Sequence, residues 1–386
     1  MRHPLLAALV LGPAALFLMA KTGGTAVSPV PVPAQPVTAQ TAQACDKTCA
    51  AEWMDANLRL NQLQQIGTNA SAKQKPEGSV LTIIRMGGSE GAEALDFGHA
   101  PLAQQLDSGV RALSFDIVND PQGGAFKRPA IANMAMVLHS DEHNSAMSRP
   151  GFKVIHVPDV DYRSSCPALT DCLKQVVAWS HAHPGHLPLV ITLRPNDSKT
   201  PMPGASQPPA MDAAALDALE TEIAAIFAQD DLLTPAMVQG SDGLTRWPLL
   251  GEARGKVMLV LHGAGANAYD GALMFPVREG GAVRAFDDPV KDKARIAAAV
   301  RSGAMVLTHA DLETREARKG DTARRDAAFA SGAQVILTDF PAADPAIGPY
   351  RVSLKDVGRA RCGDMLGSET CIAIRQDETI RTAGLP

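Results

Sequence analysis

The sequence predicts an α/β fold, specifically a (β/α)8 barrel of the TIM type. Eight short apolar, β-rich runs lie near positions 61, 110, 152, 188, 257, 275, 304 and 334, roughly alternating with helical periods or long connections. One stretch, Phe152–Arg194, reads as a complete strand–helix–strand crossover, which predicts that its two strands are parallel. A doubly wound open sheet is the alternative, but no G-x-G-x-x-G follows the first run, so a dinucleotide fold has little support. No internal linker divides residues 51–386, and a single domain is expected there.

The elements follow in chain order. Residues 53–60 predict a short helix, and Asn61–Ile66 the first strand, ending at Gly67-Thr68-Asn69-Ala70-Ser71. Val80–Met86 has strand character, with Gly87, Gly88 and Gly91 close behind. Pro101–Gly109 suits a helix of about two turns, with proline near its start and glycine at its end. Val110–Val118 is the next strand and holds one acid, Asp116, while Pro121–Pro150 reads as a surface excursion. Phe152–His156 is a strand that ends on a histidine. The helix after it shows an apolar face through Leu169, Leu173, Val176, Val177 and Trp179, and His183-Pro184-Gly185 stops it before the strand Leu187–Leu193. Met211–Gln229 is a strongly amphipathic helix. Val257–Leu261 precedes His262-Gly263, and a weaker strand lies within Gly271–Arg284. A helix at Pro289–Val300, a strand at Ala304–Thr308 before His309, a helix at Asp321–Ser331 and a strand at Gln334–Thr338 before Asp339 complete the pattern.

Bulk properties narrow the function classes. The chain has 386 residues, 46% of them apolar, enough for a sizeable core. Its net charge of −5 comes from interspersed charges of both signs with no basic stripe, which argues against a nucleic-acid partner. Arg2 and His3 precede the apolar run Leu5–Ala20, and together they read as an export signal within residues 1–26. The run is short for a membrane span. Residues 27–50, rich in Pro, Val, Ala, Thr and Gln, read as a flexible linker. A secreted or periplasmic location and a monomer are the expectations. The six cysteines fall into local pairs, Cys45/Cys49, Cys166/Cys172 and Cys362/Cys371, which behind an export signal favours three short-range disulfides, the last pinning the tail. Zinc is the competing reading, though no histidine or second pair has the familiar spacing.

On a barrel, residues at the carboxyl ends of the strands meet on one face. Those residues here are Asn69, Asp116, His156, Arg194, His262, His309 and Asp339. Each also has a bland reading: a histidine there can simply serve a neighbouring loop, and Asp116 and Asp339 both suit turns.

Long stretches of the chain resemble the calcium-dependent phosphoinositide phospholipase C family of exported bacterial and fungal proteins. They are LRLNQLQQIGT (58–68), LDFGHAPLAQQLDSGVRAL (95–113), Val154–Val190, LLGEARGKVMLVL (249–261), EARKGDTARRDAAFASGAQVILTDF (316–340) and GPYRV (348–352). The resemblance implies a phospholipase C-like phosphodiesterase barrel that cleaves the phosphodiester between an inositol headgroup and diacylglycerol. It also implies Ca2+, one histidine that assists the sugar hydroxyl and a second that protonates the leaving glycerol oxygen.

The residues of this chain depart from that pattern at the site. The family's G-T-H-N-S is Gly67-Thr68-Asn69-Ala70-Ser71, so the first histidine is Asn69 and the amide ligand is Ala70. Its E-x-D pair is Ser114-Phe115-Asp116, which keeps Asp116 as the metal-ligand candidate. The second histidine is His156; L-E-x-K is Leu193-Arg194-Pro195-Asn196, and L-D-N is Leu261-His262-Gly263. The expected catalytic residues are therefore His156, with His262 as a relocated base, and Asn69, Ser114 and Arg194 are expected to bind substrate. One carboxylate beside a guanidinium serves poorly a cation that wants six to eight oxygens, whereas the guanidinium itself suits phosphate. The expected partner is a phospholipid or phosphorylated headgroup, met in transient contact with a membrane surface. A non-catalytic binder of such headgroups on the same barrel is the alternative function.

Overall fold

The computed structural model describes residue 52 and residues 54–240 and 245–354. The expected export signal and linker, Cys45, Cys49, Cys362, Cys371 and the tail beyond residue 354 lie outside the described residues. The strands are β1 Gln65–Thr68, β2 Ala112–Val118, β3 Lys153–Val154, β4 Leu189–Pro195 and β5 Leu232–Leu233. They continue with β6 Val257–Leu261, β7 Met274–Pro276, β8 Val283–Phe286, β9 Met305–His309 and β10 Val335–Thr338. They hydrogen-bond in the order β5-β6-β4-β2-β1-β10-β9-β8, every pair parallel. β5 and β7 share one edge of β6: β5 pairs with Val257 and Met258, and β7 with Leu259–Leu261. Val277, just past β7, bridges in parallel to Val283 at the start of β8. The ring therefore closes with eight positions, a (β/α)8 barrel.

Strand alternation separates two cores. Ala112, Val190, Met258, Val260, Phe275, Val283, Met305, Leu307, Val335 and Leu337 pack together inside the ring. Leu113, Phe115, Ile191, Leu193 and Leu259 face outward against the Leu169–Ala182 and Ala213–Ala224 helices. The interior is tight where β1 meets its neighbours. A Cβ on Gly67 would lie 2.6 Å from Ala112 Cβ and 2.7 Å from a methyl of Leu337.

The structure departs from the sequence expectations in several places. The first strand begins at Gln65, because residues Leu60–Gln62 form a 3-10 turn. The strand expected over Val80–Met86 is an α-helix, Gly78–Gly87: Val80 and Leu81 are buried, Ile84 packs against a buried apolar cluster, and the glycines supply its end. The 121–150 excursion holds two helices, Ala130–Met134 and Asp141–Ser148. Its Phe126, Ile131 and Met147 form a satellite core with Val118, Ile155 and Tyr162. Finally, β3 is not the first strand of a parallel crossover. It pairs antiparallel with β2, Ile117 opposite Val154, and hangs outside the ring. The parallel crossover runs from β2 to β4 instead. The weak strand sought in Gly271–Arg284 proves to be two, β7 and β8.

Cys166 and Cys172 form a disulfide at the start of the Leu169–Ala182 helix. No helix among the described residues is long and apolar enough to cross a membrane.

Candidate active site

The inward register of the strands builds the site. Two residues beyond Ala112 and Ser114 on the same face comes Asp116; Val190 and Thr192 lead to Arg194, Met305 and Leu307 to His309, and Val335 and Leu337 to Asp339. Gly67 leads to Asn69 and Val260 to His262 by the same step. Asn69, Asp116, His156, Arg194, His262, His309 and Asp339 accordingly line one cavity of about 540 Å3 at the carboxyl ends of the strands.

Asp116 and Arg194 are direct cross-strand partners. Arg194 Nε lies 2.9 Å from Asp116 Oδ1, and Arg194 Nη1 donates to Asn69 Oδ1 at 2.8 Å. A guanidinium can only donate, so this bond fixes which way the Asn69 amide points. Its Nδ2 consequently donates to Asp339 Oδ1 at 3.0 Å. The second oxygen of Asp116 sits 2.6 Å from His156 Nδ1, which turns the Nε2 edge of the imidazole away from the carboxylate. His156 is carried by the segment after β3, whose pairing continues as Ile155 N–H donates to the Asp116 carbonyl at 3.0 Å.

Charge follows from this chain of contacts. Burial raises the Asp116 carboxyl, but Arg194 and His156 outweigh it and hold the group below the usual carboxylate range. Burial lowers His156, and Asp116 more than reverses this, so the imidazole keeps its proton above its ordinary value. His262 is lowered by burial and then by Arg194. His309 falls to about 3 for the same two reasons, and its buried Nδ1 has no hydrogen-bond partner. Burial lifts Asp339 to about 6. Asp311, buried beside it, accepts from Asp339 N–H at 2.7 Å and is pushed up to about 8 by burial and by Asp339.

Ser114 does not reach the cavity wall. It lies one layer lower, fully buried, its Oγ without a hydrogen-bond partner and its N–H donating to Ser71 Oγ at 2.8 Å. Sequence reasoning missed His99, whose Nε2 lies 2.7 Å from the Asn69 carbonyl and which burial pulls down to about 4. It also missed the fully buried Lys73–Asp161 pair at 3.1 Å, whose charges act on His156. Neither carries a motif that sets it apart.

Residues 58–363 match the family of Ca2+-dependent phosphoinositide phospholipase C, about four-fifths of the chain. The chain belongs to this family. No curated protein matches it. Among solved structures it is similar to the calcium-dependent phosphoinositol-specific phospholipase C of a Pseudomonas species, in an apo form and myoinositol complex. Identity is 18%, with 75% of this chain and 92% of that one covered and a TM-score of 0.45. It is also similar to the Ca2+-dependent phosphatidylinositol-specific enzyme of Streptomyces antibioticus, at 13% identity, 73% and 94% coverage and a TM-score of 0.43. A mutant of the phosphatidylinositol-specific phospholipase C from Staphylococcus aureus matches at 12% identity, 78% and 94% coverage and 0.41.

The family's calcium can be tested against the donors present. Asp116 Oδ1 and Asn69 Oδ1, side-chain oxygens that line the cavity, are both taken by the Arg194 guanidinium. Ala70 offers no side-chain oxygen, although it holds a φ of 47°, a turn that asparagine adopts more readily than alanine. Among the described residues, no cluster of three or more His, Cys, Asp or Glu is placed to hold a metal ion. This donor set does not fit calcium.

Proposed function

We propose that the protein is an exported phosphodiesterase of phospholipase C type that works on phosphatidylinositol-type lipids without a metal ion, slowly relative to relatives with the full residue set. Family membership supports the reaction class. The observation that carries the metal-free reading is the Arg194 guanidinium, held between Asp116 and Asn69 in the cavity wall. A fixed planar cation there offsets the charge of a bound phosphodiester and can hold two of its oxygens. His156, kept protonated by Asp116, is the proton donor to the departing glycerol oxygen. His262, held neutral beside Arg194, can accept a hydrogen bond from a headgroup hydroxyl. The enzyme acts as a monomer and meets the membrane only during turnover.

The test is release of inositol phosphate from phosphatidylinositol vesicles by the exported chain, with calcium and with chelator, for wild type and His156→Ala. Turnover indifferent to chelator and reduced roughly 10²–10⁴-fold by the substitution is expected. Strong calcium stimulation would sink the metal-free reading. No turnover in any condition, with inositol phosphate still bound through Arg194, would make the protein a headgroup binder.

A further inference from the structure

We infer that Asp339 is the proton acceptor of this site, standing in for the histidine that the family places where Asn69 is. The inference rests on the phosphodiesterase reading and adds a residue to it. Asp339 lies just past β10, whose partner in the ring is β1, so it reaches the cavity beside Asn69. Asn69 Nδ2 occupies Oδ1, and no donor among the described residues takes Oδ2. The asparagine cannot shuttle a proton, but its amide, oriented by Arg194, holds the carboxylate in one position.

The surroundings suit the role. Arg194 from β4, His156 from the segment after β3 and Lys73 from the loop after β1 favour the charged form, while burial and Asp311 oppose it. The balance leaves Asp339 at about 6, close to where a base working near neutrality is most effective. Asp311, at about 8, stays protonated through neutral pH, so Asp339 is the member of the buried pair that carries the charge. His262 is the competitor. It stands on β6, on the far side of Arg194 from Asn69, away from the position the family gives its base.

In the first step the ring hydroxyl passes its proton to Asp339 Oδ2 as its oxygen bonds phosphorus. The bond from phosphorus to glycerol oxygen breaks, and that oxygen takes the proton of His156 Nε2. Water then attacks the cyclic phosphodiester and gives its proton to His156. The ring oxygen leaves phosphorus and recovers its proton from Asp339.

The experiment is the pH dependence of kcat/KM on phosphatidylinositol for wild type, Asp339→Asn and His262→Gln, each confirmed folded by its thermal melt. Wild type should show an acid limb with a midpoint near 6. Asp339→Asn should lose at least about 10²-fold and lack the limb, whereas His262→Gln should keep it. An Asp339→Asn enzyme with the wild-type profile, or a limb abolished by His262→Gln, would overturn the assignment while leaving the phosphodiesterase reading intact. A wild type without turnover would overturn both. Should Asp339→Asn not fold, carbon-13 NMR of the wild-type aspartate carboxyls decides. A signal titrating near 6 and moved by Asn69→Ala, whose amide holds this carboxylate, supports the assignment; titration of every aspartate below about 5, apart from the neutral Asp311, rejects it.

Discussion

Replacing Asp116 by asparagine would test the electrostatic framework of the site directly. The carboxylate faces two cations, Arg194 Nε at 2.9 Å and His156 Nδ1 at 2.6 Å, and all three groups are largely withdrawn from water. With charge centres roughly 4 Å apart and an effective dielectric near 20, each attraction is worth about 4 kcal/mol before desolvation. The substituted amide would keep the shape and part of the hydrogen bonding but leave the guanidinium uncompensated, which typically costs about 3–5 kcal/mol. Partial exposure of Arg194 points to the lower end, about 3 kcal/mol, or a melting temperature lower by roughly 6–12 °C. The loss should depend on pH. Asp116 is depressed in the fold, so its contribution is present above its ordinary value and disappears as pH falls through the lowered one. His156 is raised, so its contribution is present below about 6.5 and is lost as pH rises through the raised value. The gap between wild type and Asp116→Asn should therefore be widest near pH 5–6.5 and shrink as pH rises through the raised His156 value, above which only the Arg194 part survives. Denaturant unfolding at pH 3, 6 and 9 measures it. A gap below about 0.5 kcal/mol at pH 6 would refute the claim that Asp116 anchors both cations.

Two further substitutions probe the barrel around the site. Gly67→Ala should cost about 1–3 kcal/mol in chemical denaturation, because its methyl would press on Ala112 and Leu337 inside the ring; an unchanged midpoint would show that the interior yields. Asp311→Asn should melt above wild type at pH 9 and near it at pH 4. A carboxyl raised in the fold from its ordinary value to about 8 stabilises at low pH, and that contribution is lost as pH rises through both values. Equal melting temperatures at pH 9 would contradict this.

Much of the architecture was legible because a barrel repeats one instruction. Apolar runs such as Val257–Leu261 and Gln334–Thr338 declare buried parallel strands, and the polar residue that ends each one falls at the same height in the ring. That is why His262, Arg194 and Asp116 could be placed at one mouth from the sequence, whereas His156 reaches it from a strand that runs antiparallel outside the ring and not from the parallel one expected. Val80–Met86 was misread because β-branched content outweighed a helical burial period that runs through only two or three residues. The antiparallel β3 escaped because a strand of two residues has too little pattern to reveal its direction. Asp339 looked like a turn residue since nothing local shows the partner that gives it meaning, an amide 270 positions away.

The antiparallel setting of β3 divides the site into two mechanical parts. Arg194, Asp116, Asn69 and Asp339 belong to strands or strand ends of the closed ring, where each hydrogen-bond ladder is braced by the next. His156 rides on a flap stitched to the outside of β2, and the backbone of Phe152 and Val154 is tied to Pro167 and Leu169, within the loop that Cys166 and Cys172 close. The ring is held by the cooperative order of many weak bonds; the flap is hydrogen-bonded to β2 and to a loop closed by a covalent staple, and that staple depends on the redox state of its surroundings. The backbone that carries His156 is thus seated partly on a loop whose shape a covalent bond supports, which none of the ring residues around it needs.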